Sequence, residues 1–261
     1  MNTKTLSDKA LVVISQYTNF SVGNARCSVP YFNNKHSGAR ASLRANIGKG
    51  SPKDIFDEVE SISILEKVNV RALDSITFKK FLVDHNIGID CSGLIYHILS
   101  AESEAKEKGV LDKHLSFPLC TGLLGKIRCK LRPVENAGVT TFAHDKNSRV
   151  LNLTQAEPGD IVTMIGNKGE ASDPQRDHIL LIHQIEYQNF MPTTLHYIHA
   201  IAWPTDGEYG HGVRYGRIEI VNPIKPLTEQ RWIEAEKTDS ENYTLARAMR
   251  SKTELRRLNW L

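Results

Sequence analysis

Apolar positions recur with helical spacing near the start of this chain and with strand spacing in its second half. Over residues 3–18, Leu6, Ala10, Val13 and Ile14 fall on one face and predict a first helix. Residues 19–50 are rich in Gly, Asn and Arg, lack a sustained period, and predict loop with one short strand. A second helix begins at Ser51, an N-cap followed by Pro52 at the first helical position and Asp54 near the positive helix end. A third is predicted over 75–85. Behind Asp90, a further N-cap, the residues Cys91, Leu94, Ile95, Ile98 and Leu99 form one apolar stripe, and Gly109 closes that helix. Residues 110–150 show no clear pattern and predict loops with short elements.

After Pro158-Gly159 the period changes to two. DIVTMI, HILLIHQIEY, TLHYIHAIA and VRYGRIEIV are four strand-like runs separated by turn residues. ILLI is apolar on both faces and predicts a central strand. Short links between consecutive strands predict antiparallel pairing. Residues 226–236 and 241–257 return to helical composition. The fold class expected is α+β: a core over 86–224, a helical N-terminal extension over 1–85 with a basic loop, and a helical C-terminal extension over 225–261.

Composition adds limits. At 24% charged and 40% hydrophobic, the chain suits a soluble globular protein. A net charge of +3 over 261 residues gives no argument for nucleic acid, and no nucleic-acid module is visible. The charge is uneven. No acid occurs between Asp8 and Asp54, where Lys9, Arg26, Lys35, Arg40, Arg44, Lys49 and Lys53 lie; Arg247, Arg250, Lys252, Arg256 and Arg257 repeat the bias near the C-terminus. Solvated basic faces are the expectation for both. The apolar run Ala10–Ile14 is too short for a signal peptide, and no stretch reaches the ~18 apolar residues of a membrane span. Cytoplasmic residence is the default, which implies that Cys27, Cys91, Cys120 and Cys129 are mostly reduced. GKGSP at 48–52 lacks the spacing of a phosphate loop, and Cys120 and Cys129 lack a second metal-ligand pair, so no metal and no cofactor are expected.

The chemistry concentrates at Cys91. A thiol at a helix N-terminus feels unpaired N–H groups and the helix dipole, which favour thiolate; a thiol on an apolar stripe is also a small core residue. The Asp90 carboxylate opposes ionisation unless it caps the helix. The N–H groups of Cys91, Ser92 and Gly93 are candidates to stabilise an oxyanion. Of ten histidines, His178 opens the most apolar strand and His199 lies on the next. Their residue numbers have an odd sum, so in an antiparallel hairpin with an even loop and no bulge they share a face and His196 points away. His178 can then act as general base, with His199 orienting it. His36, His85, His97, His114, His144 and His211 carry no pattern.

The set Asp90-Cys91-Ser92-Gly93, Pro158-Gly159-Asp160, His178 and His199-Ala200, in that order, resembles the NlpC-type branch of papain-like cysteine peptidases and amidases. The resemblance spans roughly residues 90–200. It implies a nucleophile-bearing helix on an antiparallel sheet, and hydrolysis of an amide through a thioester, typically in peptidoglycan stem peptides. Cys91 matches the nucleophile, His178 the base and His199 the orienting residue. The family's Pro-Tyr tyrosine corresponds to Tyr31, which must fold back to the cysteine, and 110–157 corresponds to an insertion over the cleft. A peptide or muropeptide substrate is the expected partner, with oligomeric state open. Two other functions stay open: an acyltransferase using the same triad, and a catalytically silent binding module.

Overall fold

The computed structural model describes residues 2–33, 44–118, 120–166 and 177–261. The predicted helix starts at Ser51, at residue 75 and at Asp90 hold. Helix α1 (Asp8–Thr18) is capped by Ser7, whose hydroxyl accepts from the Ala10 N–H. Helix α2 (Pro52–Glu66) opens on a capping box between Ser51 and Asp54. Helix α3 (Ser75–Asp84) is capped by Asp74 and α4 (Cys91–Ala105) by Asp90. The region without period contains α5 (Gly122–Leu131), the short α6 (Pro133–Asn136) and α7 (Val139–Phe142), and strand β4 (Ser148–Val150).

The expected first helix is shorter at its start. Residues Asn2–Thr5 form strand β1, which pairs antiparallel with residues 184–187 of β6 (His178–Gln188). Strand β5 (Ile161–Gly166) occupies that same edge of β6 only along 178–181, so the edge beyond is open to β1. Residues 19–27 form a small hairpin, β2 (Phe20–Val22) and β3 (Ala25–Cys27), where one strand was expected.

The four predicted strands are β5, β6, β7 (Met191–Ile201) and β8 (Gly212–Glu219), antiparallel throughout, with the ILLI strand inside the sheet. The C-terminal segment departs from expectation. It contributes β9 (Arg231–Glu234) beside β8, helix α8 (Tyr243–Met249), and β10 (Ser251–Leu258), which lies between β4 and β5. The sheet therefore has eight strands among the described residues, ordered β4-β10-β5-β6-β7-β8-β9, with β1 on β6. The Leu-, Arg- and Glu-rich tail has helical propensity, but the free edge of β5 and burial of Leu255 and Leu258 override it.

Each face of the sheet is covered. On one, Ile179, Leu181, Ile198 and Ala200 pack into a core with Leu94, Ile95 and Ile98 of α4 and with α1. On the other, Leu180, Ile182, Leu195 and Tyr197 pack against Trp232, Leu245 and Leu255 from the C-terminal segment. Pro158-Gly159-Asp160 sets the start of β5. The Gly159 N–H donates to the Ile182 carbonyl and the Ile182 N–H to the Asp160 carbonyl, while buried Asp160 pairs with Arg257 at 2.7 Å.

No helix among the described residues is long and apolar enough to cross a membrane. Cys120 and Cys129 are joined by a disulfide, against the expectation of reduced thiols; Cys27 and Cys91 are free. The basic stretch 26–53 lies partly outside the described residues, at 34–43, which include Lys35, His36 and Arg40.

Candidate active site

Helix α4 begins where β6 and β7 separate. Their ladder runs from the hairpin tip to Leu181 opposite Ile198 and stops, leaving 178–180 paired on the β5 side only. Ile182 bonds toward the Asp160 side, so by strand alternation the Ile179 N–H points the other way, toward β7. That N–H lies close enough to the Cys91 sulfur to favour its ionised form. The head of α4 thus lies at the opening between the two strands, with the sulfur close to the Ile179 N–H.

The histidines share a face, as expected, by a route that differs from expectation. The hairpin loop has two residues, Asn189 and Phe190, but two irregularities follow, one between Glu186 and Tyr187 and one between Ile182 and Gln184. The first places an extra residue on β7 and the second an extra residue on β6, so they cancel. His178 and His199 end on the same face, with the His178 Nε2 2.8 Å from the His199 Nδ1. His196 is elsewhere, its Nε2 on Glu186 at 2.8 Å.

Behind His199 stands a residue the sequence did not single out. His199 Nε2 lies 3.1 Å from Glu234 Oε1, an electrostatic contact off the axis of an aligned N–H···O bond. Glu234 Oε2 accepts from the Tyr197 hydroxyl at 2.6 Å. Its position in β9 follows from pairing with Gly216. A Cβ at residue 216 would lie 2.2 Å from the Tyr197 ring, so glycine is what lets that ring cross β8 to reach the acid. Glu234 was hidden in a segment read as helix, and no local pattern marks it.

The thiol side is held by a second buried cluster. Asp90 Oδ1 accepts from the Gly93 N–H at 2.6 Å, from Lys49 Nζ at 2.9 Å and from the Ser92 hydroxyl at 3.0 Å. Lys49 also reaches Ser92 Oγ at 2.6 Å and the Ala137 carbonyl at 3.4 Å. Lys49, expected on a solvated basic face, is instead only 6% exposed. Gly93 donates to the cap and so drops out as an oxyanion donor; Cys91 and Ser92 N–H remain. A Cβ on Gly93 would lie 2.6 Å from the Gly48 carbonyl, which accepts from the Asp90 N–H, so residue 93 must be small.

Tyr31 does fold back. It bridges to Ile89, its N–H donates to His211 Nδ1 at 3.1 Å, and its phenol is near enough to Cys91 and Asp90 that burial and these two groups raise its pKa. Arg247 on α8, expected on a solvated face, bears on Cys91, Tyr31 and His178 as a nearby positive charge.

Electrostatics correct one expectation. The Cys91 thiol is pushed up to about 12, first by burial and then by Asp90; Lys49, the Ile179 N–H and Arg247 pull the other way and lose. Burial, then His199 and Arg247, hold His178 well below the ordinary imidazole range. The resting site holds a neutral thiol and a neutral imidazole, not a thiolate and an imidazolium. Burial also opposes ionisation of Glu234, but His199, Tyr197 and Thr244 outweigh it and its carboxyl lies below the usual range. An ionised Glu234 favours N–H at His199 Nε2, which leaves His199 Nδ1 to accept from His178 Nε2–H and His178 Nδ1 as the free basic nitrogen. Among the described residues no group of three or more His, Cys, Asp or Glu side chains is arranged to hold a metal ion.

Comparison of the chain with models of known families, with curated proteins and with solved structures finds no match. The functional reading rests on the site.

Proposed function

We propose that this protein is a cysteine-dependent amidase or peptidase with a papain-like, NlpC-type core, acting on small peptides of the cell-wall type through a thioester on Cys91. One observation carries the reading: the thiol at the head of α4 lies close to the Ile179 N–H, on the strand that carries His178, and that histidine is backed by a second ring and a buried carboxylate. As a substrate carbonyl enters, Cys91 Sγ attacks its carbon while the S–H proton passes to His178 Nδ1. The carbonyl oxygen gains charge against the Cys91 and Ser92 N–H groups. His178 returns the proton to the departing amine, and the C–N bond breaks to leave the thioester. Water then attacks with His178 again taking a proton, and the C–S bond breaks to release the acid and the thiol. His199 and Glu234 hold the base in one tautomer and stabilise its charged form as it appears.

Burial of the site favours a second reading. Cys91 is 7% exposed and His178 2% exposed. A site this poor in water suits transfer of the acyl group to an amine or hydroxyl on the same triad.

The test is incubation with muropeptides and small amides, reading new amine ends by mass spectrometry. Wild type is expected to release them, and Cys91→Ala to lose at least about a thousandfold in rate while melting at an unchanged temperature. Equal behaviour of the two proteins on every amide and every acyl acceptor offered sinks the reading. A product joined to an added amine in place of water moves the assignment to acyl transfer.

A further inference from the structure

Helix α5 carries its apolar side outward. Leu123, Leu124, Ile127 and Leu131 are 76%, 82%, 46% and 74% exposed, while Cys129 is buried. At ~100° per residue these four side chains fall within an arc of about 100°, and Cys129 lies nearly diametrically opposite. The disulfide from Cys129 to Cys120 ties the inward side of the helix to the segment before it. The outward stripe is therefore not a face awaiting burial by its own chain.

Charge flanks the stripe on both sides. Lys126 and Lys130 border one edge and Arg128 the other, and all three are exposed, as is Arg132. No Asp or Glu occurs between Lys113 and Glu135. A second copy of this chain would bring the same cations against these, so charge opposes self-association through this face. The stripe is a convex, three-turn ridge of aliphatic side chains without a groove. Such a ridge fits a fluid apolar layer beneath a plane of negative charge.

We propose that α5 is a membrane-surface helix that docks this protein on anionic lipid, with Leu123, Leu124, Ile127 and Leu131 dipping below the headgroups and Lys126, Arg128 and Lys130 at phosphate level. The helix is about 15 Å long, so it lies on the bilayer and does not span it. This inference does not depend on Cys91 chemistry.

The experiment is co-sedimentation of the full-length protein with large vesicles. One set is phosphatidylcholine alone; the other contains about one-third phosphatidylserine. Binding is expected to the second set only, and to weaken in high salt. Leu124→Ser with Ile127→Ser, and separately Lys126→Glu with Lys130→Glu, should each weaken it at least about tenfold without moving the melting temperature, because every side chain changed is exposed. Leu65→Ser, an equally exposed apolar residue on α2, should bind as wild type does. Wild type remaining in the supernatant with both vesicle sets overturns the proposal, as does binding that the α5 changes leave intact. A dimer in solution that the Leu124/Ile127 change dissolves would assign the face to a second copy instead.

Discussion

The thiol half of the site, from Tyr31 to Ser92, and the imidazole half, from His178 to Arg247, each bury one carboxylate. Asp90 faces a lysine ammonium, a serine hydroxyl and a helix N–H, three donors that hold it in place. Glu234 faces a histidine ring, which has two tautomers. The first acid fixes where the sulfur sits; the second fixes which nitrogen carries a proton. Position and protonation are thus separable, and substitutions on the two sides should fail differently.

The largest effect is expected on the thiol side. Lys49→Met leaves the Asp90 carboxylate buried without its cation and should cost about 3–5 kcal/mol in urea unfolding. Adding Asp90→Asn keeps an N-cap side chain and removes the stranded charge, so the double variant should recover part of that loss. A single variant as stable as wild type would show that the cluster is not what holds the head of α4.

On the imidazole side the expected failure is kinetic. Glu234→Gln keeps shape and the Tyr197 contact but removes the charge that sets the His199 tautomer. If the proposed hydrolysis is observed, its kcat should fall about a hundredfold, ~2.7 kcal/mol of transition-state stabilisation, with KM little changed. Stability should fall by no more than about 1–3 kcal/mol. Unchanged kcat would remove Glu234 from the relay and leave it a structural acid.

The same division governs what the chain disclosed before folding. The thiol, its cap and the helix they open are contiguous in sequence, and local rules of capping and period suffice for them. The two histidines were legible because strand alternation is a strong constraint, although the parity argument held only because the extra residues at the two irregularities cancel. Lys49 and Glu234 were illegible for opposite reasons. Lys49 sits in a basic run whose average character is solvated, and only tertiary packing singles it out. Glu234 sits in a segment whose composition favours helix, and the open edge of β8 decided otherwise. Tyr31 came from the resemblance alone, since nothing local ties it to residue 91.

The smallest expected effect is on stability against pH, and it separates the halves by sign. Burial raises the folded Cys91 pKa above the ~8.5 of a free thiol, so the native state keeps a proton that the unfolded state sheds. Stability is then complete below pH ~8.5 and falls as pH rises toward 12. Two histidines act in the other direction. His178 is depressed and His183 lies at about 4, both chiefly through burial, so the unfolded state takes up protons below pH ~6.5 that the native state refuses. Melting temperature should therefore plateau between about pH 6.5 and 8.5 and decline on both sides. Cys91→Ala should reduce the alkaline decline, leaving the part due to Cys27, which burial raises to about 11, and should leave the acid one; His183→Gln should soften only the acid side. An alkaline limb identical in wild type and Cys91→Ala would mean that the thiol is already ionised in the fold, and thiolate absorbance near neutrality would confirm that the resting pair is charged.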